Sequence, residues 1–392
     1  MPHAFRISET VQMKIANSER QTALAHVVQI EPWIDDCELR ELERVIQSTF
    51  VIEHELTREF EALTERLTGA KHAIAVCNGT AALFVCLRAL GIGRGDEVII
   101  PNLTFAATAN AVILAGAEPV LCEIREDTFC IDMEKAETLV TNRTRAVMPV
   151  HLYGQSADMT AVMTFARQHG LKVIEDAAEG IGVRFNGQHV GTFGEMGILS
   201  YYGNKTITCG EGGVVLTNDD ELATAAYRLK NHGRKKKGTF IHEAIGFNFA
   251  FTDLQAAIGI AQMKKLPRIV LKKREIRDRY VEKLRELEHF LPVQTDSRCE
   301  PVFWFTSFLC DRAEELSVFL ANQQIQTRGF FYPLHQQPCY ADGKHIRNVG
   351  QDFRISEGIH KRGISLPSSY SLSVEDQSFV IGQIRRFYAN RD

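Results

Sequence analysis

The chain reads as an α/β protein: a large domain with a mostly parallel sheet flanked by helices, and a smaller C-terminal α+β domain. Three observations carry that expectation. Short apolar runs alternate with helical patterns from residue 73 to residue 229, the signature of strand–helix–strand units. One run, residues 171–174, is broken only by Lys172 and leads into Glu175-Asp176, as a strand buried on both faces would. Finally, 392 residues exceed what one hydrophobic core usually serves.

In chain order, residues 1–28 form an N-terminal extension without a strong element. Residues 37–48 and 53–67 carry apolar positions at helical spacing among charges, which predicts two amphipathic helices. A strand over 73–77 meets the turn Asn78-Gly79-Thr80, and a helix follows through residue 90. The alternation continues with a strand (97–100), a helix (106–114), strands (119–122 and 145–149), a helix (157–169) and the strand ending at Glu175. Beyond it come a strand over 212–217 and a helix over 219–229. Two helical stretches, 253–265 and 269–287, lead towards the small domain from residue 291. The expected division is 29–265 for the large domain and 266–392 for the linking helix and small domain.

Composition narrows the function. A hydrophobic fraction of 45% and a charged fraction of 24% suit an ordinary globular protein. A net charge of −4 with no long block of one sign argues against nucleic acid as a partner. The nine cysteines are dispersed without Cys-x-x-Cys spacing, so reduced thiols are expected rather than disulfides or a metal site. No stretch reaches the about 18 apolar residues of a membrane span, and residues 1–25 lack a signal-peptide core; the expected location is cytoplasmic.

The chemistry is concentrated in Gly203-Asn204-Lys205-Thr206-Ile207-Thr208-Cys209-Gly210-Glu211-Gly212-Gly213. This glycine-rich turn holds one lysine, 29 positions after Asp176. A carboxylate at a strand end and a lysine on a later turn suit pyridoxal 5'-phosphate. The amine links covalently to the cofactor aldehyde, and the carboxylate keeps the ring nitrogen protonated. Asn78-Gly79-Thr80 could present backbone N–H groups and a helix dipole to the phosphate, although alone it is as readily a plain helix cap. Ser200 could donate to the same phosphate or be an ordinary strand-end hydroxyl. Glu179, three residues beyond Asp176, could reach the site or lie exposed. Phe105 could lie flat on a planar ring, yet among 23 phenylalanines a core position is the simpler local reading. The basic segment around Lys236 is either a solvated loop or an arm meeting a substrate diphosphate. Asn248, Tyr332 and His335 carry little local signal. A nicotinamide fold would need Gly-x-Gly-x-x-Gly after a strand; Gly91-Ile92-Gly93-Arg94-Gly95 has the wrong spacing.

Together, Asn78-Gly79-Thr80-Ala81-Ala82-Leu83, Glu175-Asp176-Ala177-Ala178-Glu179 and residues 200–213 resemble the DegT/StrS sugar-nucleotide aminotransferases of the aspartate aminotransferase fold type, over residues 30–388. Within that family, Gly203-Asn204-Lys205-Thr206-Ile207-Thr208, Phe331-Tyr332-Pro333-Leu334-His335 and Gly363-Ile364-Ser365-Leu366-Pro367-Ser368 are most similar to the GDP-perosamine synthase group. The resemblance implies that Lys205 carries the cofactor, Asp176 pairs with its ring nitrogen, Gly79, Thr80 and Ser200 hold its phosphate, and Phe105 stacks on it. It implies Glu179 near the phenolic oxygen, and His335, Tyr332 and Lys236 towards the substrate. Asn248 would reach a partner's cofactor phosphate across a homodimer. The implied reaction moves an amino group from L-glutamate to a nucleotide-linked 4-keto-6-deoxy sugar. Amination of another keto-sugar, amination at carbon 3, or a non-catalytic regulatory role are the alternatives. Ala250 stands where relatives of the perosamine type usually have arginine.

Overall fold

The computed structural model describes residues 26–235 and 238–389. Helices α1 (Asp36–Ser48) and α2 (Glu55–Thr68) precede β1 (His72–Val76), α3 (Gly79–Ala89), β2 (Glu97–Pro101), α4 (Ala107–Leu114), β3 (Glu118–Cys122), α5 (Met133–Glu137) and β4 (Thr144–Val147). Then come α6 (Met159–His169), β5 (Lys172–Asp176), a hairpin of β6 (Arg184–Phe185) and β7 (Gln188–His189), β8 (Met196–Ser200), β9 (Gly213–Thr217), α7 (Asp220–Lys230) and α8 (Asp253–Leu284). The C-terminal part holds β10 (Phe290–Pro292), β11 (Cys299–Glu300), β12 (Thr306–Cys310), α9 (Ala313–Asn322), β13 (Arg328–Gly329), α10 (Arg354–Arg362), β14 (Gly363–Leu366) and α11 (Val374–Ala389).

A seven-stranded sheet runs in the order β1-β9-β8-β5-β4-β2-β3. Strand β9 is antiparallel to both neighbours, and the remaining pairs are parallel. This is the mostly parallel α/β architecture that the sequence predicts. Residues 81–87 of α3 are all buried, which explains why that helix is apolar on every side. Leu83, Ile100, Ile174 and Ile198 share one core. A second sheet, β10-β12-β14-β13, is antiparallel and packs its apolar face with α9 and α11. Of the expected extension, residues 1–25 lie outside the described residues. Val27 is docked, its N–H on Gln324 O at 2.9 Å and its carbonyl on Gln326 N at 2.9 Å.

Helix α8 differs from the expected pair of helices, because it runs unbroken through Pro267. An interior proline costs about 3 kcal/mol. Against that, Ile260, Ile269, Ile276 and Leu284 are buried on either side of it, each contributing about 1.5–3 kcal/mol. Packing outweighs the lost hydrogen bond. The first residue of α8 also anchors α2: the Asp253 carboxylate accepts from the N–H groups of His54, Leu56 and Thr57 at 2.8, 3.0 and 3.0 Å.

The fold fixes where chemistry can occur. Strand β5 ends on Asp176 and β8 on Ser200, and β1 delivers the chain to Asn78, so these residues meet outside the carboxyl ends of the strands. Alternation along β5 separates its two acids. Glu175 is spent on structure, accepting from Gly191 N at 2.7 Å, Phe193 N at 2.6 Å and Gly194 N at 2.9 Å, with His151 Nε2 at 3.0 Å. Asp176 turns the other way.

Candidate active site

A cavity of about 520 Å³ opens at these strand ends. One part of it is the N-terminus of α3. Asn78 caps the helix by accepting from Ala81 N at 2.9 Å, which leaves the Gly79 and Thr80 N–H groups without intrahelical acceptors. A Cβ on Gly79 would lie 3.1 Å from Ser200 Cβ and 3.3 Å from its Oγ. Glycine keeps that space open between a hydroxyl and a helix N-terminus, a setting that favours an anion.

Asp176 is buried in the same cavity. Its Oδ2 accepts from Thr108 Oγ1 at 2.8 Å and its Oδ1 from Ala178 N at 3.2 Å; Thr104 Oγ1 lies 2.9 Å from Thr108 Oγ1 and backs that hydroxyl. Burial raises the Asp176 carboxyl above the usual aspartate range, opposed by the Thr108 hydrogen bond. Its hydrogen-bond partners among the described residues are thus neutral, and a protonated ring nitrogen would supply the missing cation.

Lys205 reaches the cavity from the turn between β8 and β9, with its Nζ 3.5 Å from Glu179 Oε1 and 4.0 Å from the centroid of the Trp304 ring. Glu179 is buried, and its Oε2 accepts from Tyr153 N at 2.7 Å. Burial pushes its carboxyl up to about 7, with the Lys205 charge opposing. Phe105 is 61% exposed and lines the cavity, so the core position that its local sequence favours is wrong. Its backbone sits on the loop after β2, which carries the ring clear of the sheet.

The structure therefore brings together Gly79, Thr80, Phe105, Asp176, Glu179, Ser200 and Lys205. It does not bring Tyr332, His335 or Asn248 of the same chain to the lining. His335 faces Asn102, whose Nδ2 is 2.9 Å from its Nδ1, and Glu357, whose Oε1 is 3.2 Å from its Nε2. Tyr332 meets the His360 ring edge-on at 5.0 Å. Asn248 is exposed and pairs through its backbone with Asn231. Lys236 lies outside the described residues. Sequence reasoning missed Thr108, Tyr153, Trp304 and Arg328. Thr108, one helical turn after Thr104, had a legible signal.

Few cofactors join a phosphate, an aldehyde and a basic ring nitrogen, and this cavity offers a separate group to each: the α3 N-terminus with Ser200, Lys205, and Asp176. Fold and site together define a pyridoxal phosphate-dependent transferase. The profile of the DegT/DnrJ/EryC1/StrS aminotransferase family matches residues 32–385, and the chain belongs to that family. The GDP-perosamine synthase of Escherichia coli O157:H7 is 38% identical over 340 residues, covering 85% of this chain and 90% of the relative. That of Caulobacter vibrioides is 39% identical over 334 residues, covering 83% and 88%. The crystal structure of S. venezuelae DesV superposes with a TM-score of 0.86 at 33% identity, covering 91% of this chain and 95% of that one. The protein is accordingly a pyridoxal phosphate-dependent sugar aminotransferase. Among the described residues no helix is long and apolar enough to cross a membrane.

Proposed function

We propose that the protein transfers the amino group of L-glutamate to carbon 4 of a GDP-linked 4-keto-6-deoxy sugar, acting as a cytoplasmic homodimer. The observation that carries the reading is the meeting of Lys205, Asp176 and the Gly79–Ser200 cradle in one cavity; the two GDP-perosamine synthase relatives support the substrate class. Pyridoxal phosphate, when bound, supplies an electron sink and a carrier for the amino group. The N–H groups of Gly79 and Thr80 and the Ser200 hydroxyl would hold its phosphate, and Phe105 would lie against its ring. Asp176 holds the proton on the ring nitrogen. The Nζ of Lys205 would provide the covalent link and, when free, would move a proton to and from the substrate carbon. Glu179, whose carboxyl burial pushes up to about 7, can take up or release a proton beside it.

Among the described residues, Arg328 is a second cationic side chain lining the cavity beside Lys205. With Lys205 committed to the cofactor, we assign Arg328 to the α-carboxylate of the donor. That group is one bond from the reacting carbon, whereas the sugar ring separates a diphosphate from carbon 4. Asn248, exposed and off its own cavity, would serve the partner's site, and His335, Tyr332 and Lys236 would line the route of the sugar. The division into domains at 265/266, which α8 crosses unbroken, is part of the same proposal.

The test is incubation with L-glutamate and either a GDP-linked or a dTDP-linked 4-keto-6-deoxy sugar, with the product read by NMR. A 4-amino sugar formed preferentially on GDP supports the proposal. Amination at carbon 3, or preference for dTDP, contradicts it.

A further inference from the structure

We propose that Trp304 and Lys273 form a support for Lys205: the indole holds the free lysine amine in the cavity, and Lys273 fixes the backbone that carries the indole. The inference rests on Lys205 as the residue that links to the cofactor. For the part of each cycle in which Lys205 is not covalently held, its amine has to wait in one place and return in one orientation. Trp304 defines that place.

The indole contacts the lysine turn twice. Lys205 Nζ lies 4.0 Å from the ring centroid, and Trp304 Nε1–H donates to the Asn204 carbonyl oxygen at 2.7 Å. One side chain thereby fixes both the head of Lys205 and the backbone just before it. Trp304 is buried, and a cation over an aromatic face is held most strongly where water is excluded. The indole stacks on Phe305 at 3.7 Å and lies nearly parallel to Tyr153 at 6.4 Å. Tyr153 in turn gives its N–H to Glu179, the other neighbour of the Lys205 amine. Lys205, Trp304, Tyr153 and Glu179 therefore close a ring of contacts.

Lys273 holds this arrangement from α8. It is buried, and its ammonium donates to the carbonyl oxygens of Trp304 at 2.9 Å and Ser368 at 3.2 Å. Burial pushes its pKa down to about 7, and no carboxylate is among its hydrogen-bond partners in the described residues. Such a lysine costs stability; what it provides is a tie between the Trp304 backbone and the segment after β14. The other side of the loop is pinned at Gly154, where φ is +79° and a Cβ would lie 1.8 Å from Val302 O. Val302 N donates to Gly154 O at 3.1 Å, so the loop carrying Trp304 has little freedom.

Cofactor-free wild type, Trp304→Leu, Trp304→Phe and Lys273→Met are compared with two probes. Pyridoxamine 5'-phosphate has no aldehyde and reports the phosphate and ring cradle alone. Pyridoxal 5'-phosphate reports attachment to Lys205 through its visible band, followed at a pH where the rate no longer rises. Trp304→Leu is expected to keep pyridoxamine phosphate affinity within about twofold while its attachment rate falls about tenfold or more, the cost of misaligning the amine. Trp304→Phe, which keeps a ring and loses the N–H, should fall between, and Lys273→Met should slow attachment without weakening pyridoxamine phosphate. Attachment by Trp304→Leu within about twofold of wild type, or loss of rate only in step with loss of pyridoxamine phosphate affinity, would overturn the inference. A wild type that never attaches pyridoxal phosphate would overturn the reading of Lys205 itself, and the support with it.

Discussion

Glu179→Gln gives a quantitative expectation that follows from burial. The Glu179 carboxyl is raised from 4.5 to about 7, chiefly by burial. A carboxyl that binds its proton more tightly in the folded than in the unfolded chain adds stability that is complete below the unfolded value. That stability is lost as the pH rises through the folded value. At about 1.36 kcal/mol per pH unit the whole span is worth about 3 kcal/mol. Glutamine is close in shape, uncharged at every pH, and retains an oxygen to accept from Tyr153 N. The cofactor-free wild type should therefore lose about 3 kcal/mol relative to Glu179→Gln between pH 4.5 and pH 8. Urea unfolding of both proteins at half-unit steps measures this, with titrating groups not coupled to Glu179 cancelling in the difference. Stability curves that stay parallel within about 1 kcal/mol would refute the assignment of a raised carboxyl at this position.

Three further expectations test separate parts of the account. Gly79→Ala places a Cβ 3.1 Å from Ser200 Cβ, so Ser200 has to shift, and pyridoxamine phosphate binding should weaken about tenfold as the anion cradle is filled. Arg328→Met should raise the KM for L-glutamate about tenfold or more while changing kcat less, as loss of a charge-assisted contact made in the ground state would do. Asp253→Ala strands three N–H groups at the start of α2 and the Thr57 hydroxyl, 2.7 Å away. It should lower unfolding free energy by about 2–5 kcal/mol in urea titrations.

What the sequence made legible is what short-range pattern encodes. The strand ending on Asp176, the turn opening α3 and the glycine-rich setting of Lys205 each announce themselves within a dozen residues, and the sheet then gathers them. Trp304 and Arg328 could not be read that way. They arrive about a hundred residues later, and only the docking of the C-terminal part against the Tyr153 turn puts Trp304 on the lysine. Pro267 misled because its local cost is visible in sequence, whereas the burial on both sides of it is not. Phe105 misled in the opposite sense: its apolar character says nothing of the loop that carries it into the cavity. His335 carries little local signal, and in a single chain its ring nitrogens are turned to Asn102 and Glu357.

Lys205 as the carrier of pyridoxal phosphate, and L-glutamate as the amino donor, can be tested together. Visible absorption of the purified wild type and of Lys205→Ala, recorded before and after adding L-glutamate, tests both directly. A yellow band in wild type that bleaches on adding the donor is expected, with no such band in the variant. A wild type that stays colourless with added pyridoxal phosphate, or a Lys205→Ala protein that colours and bleaches like it, would contradict the account.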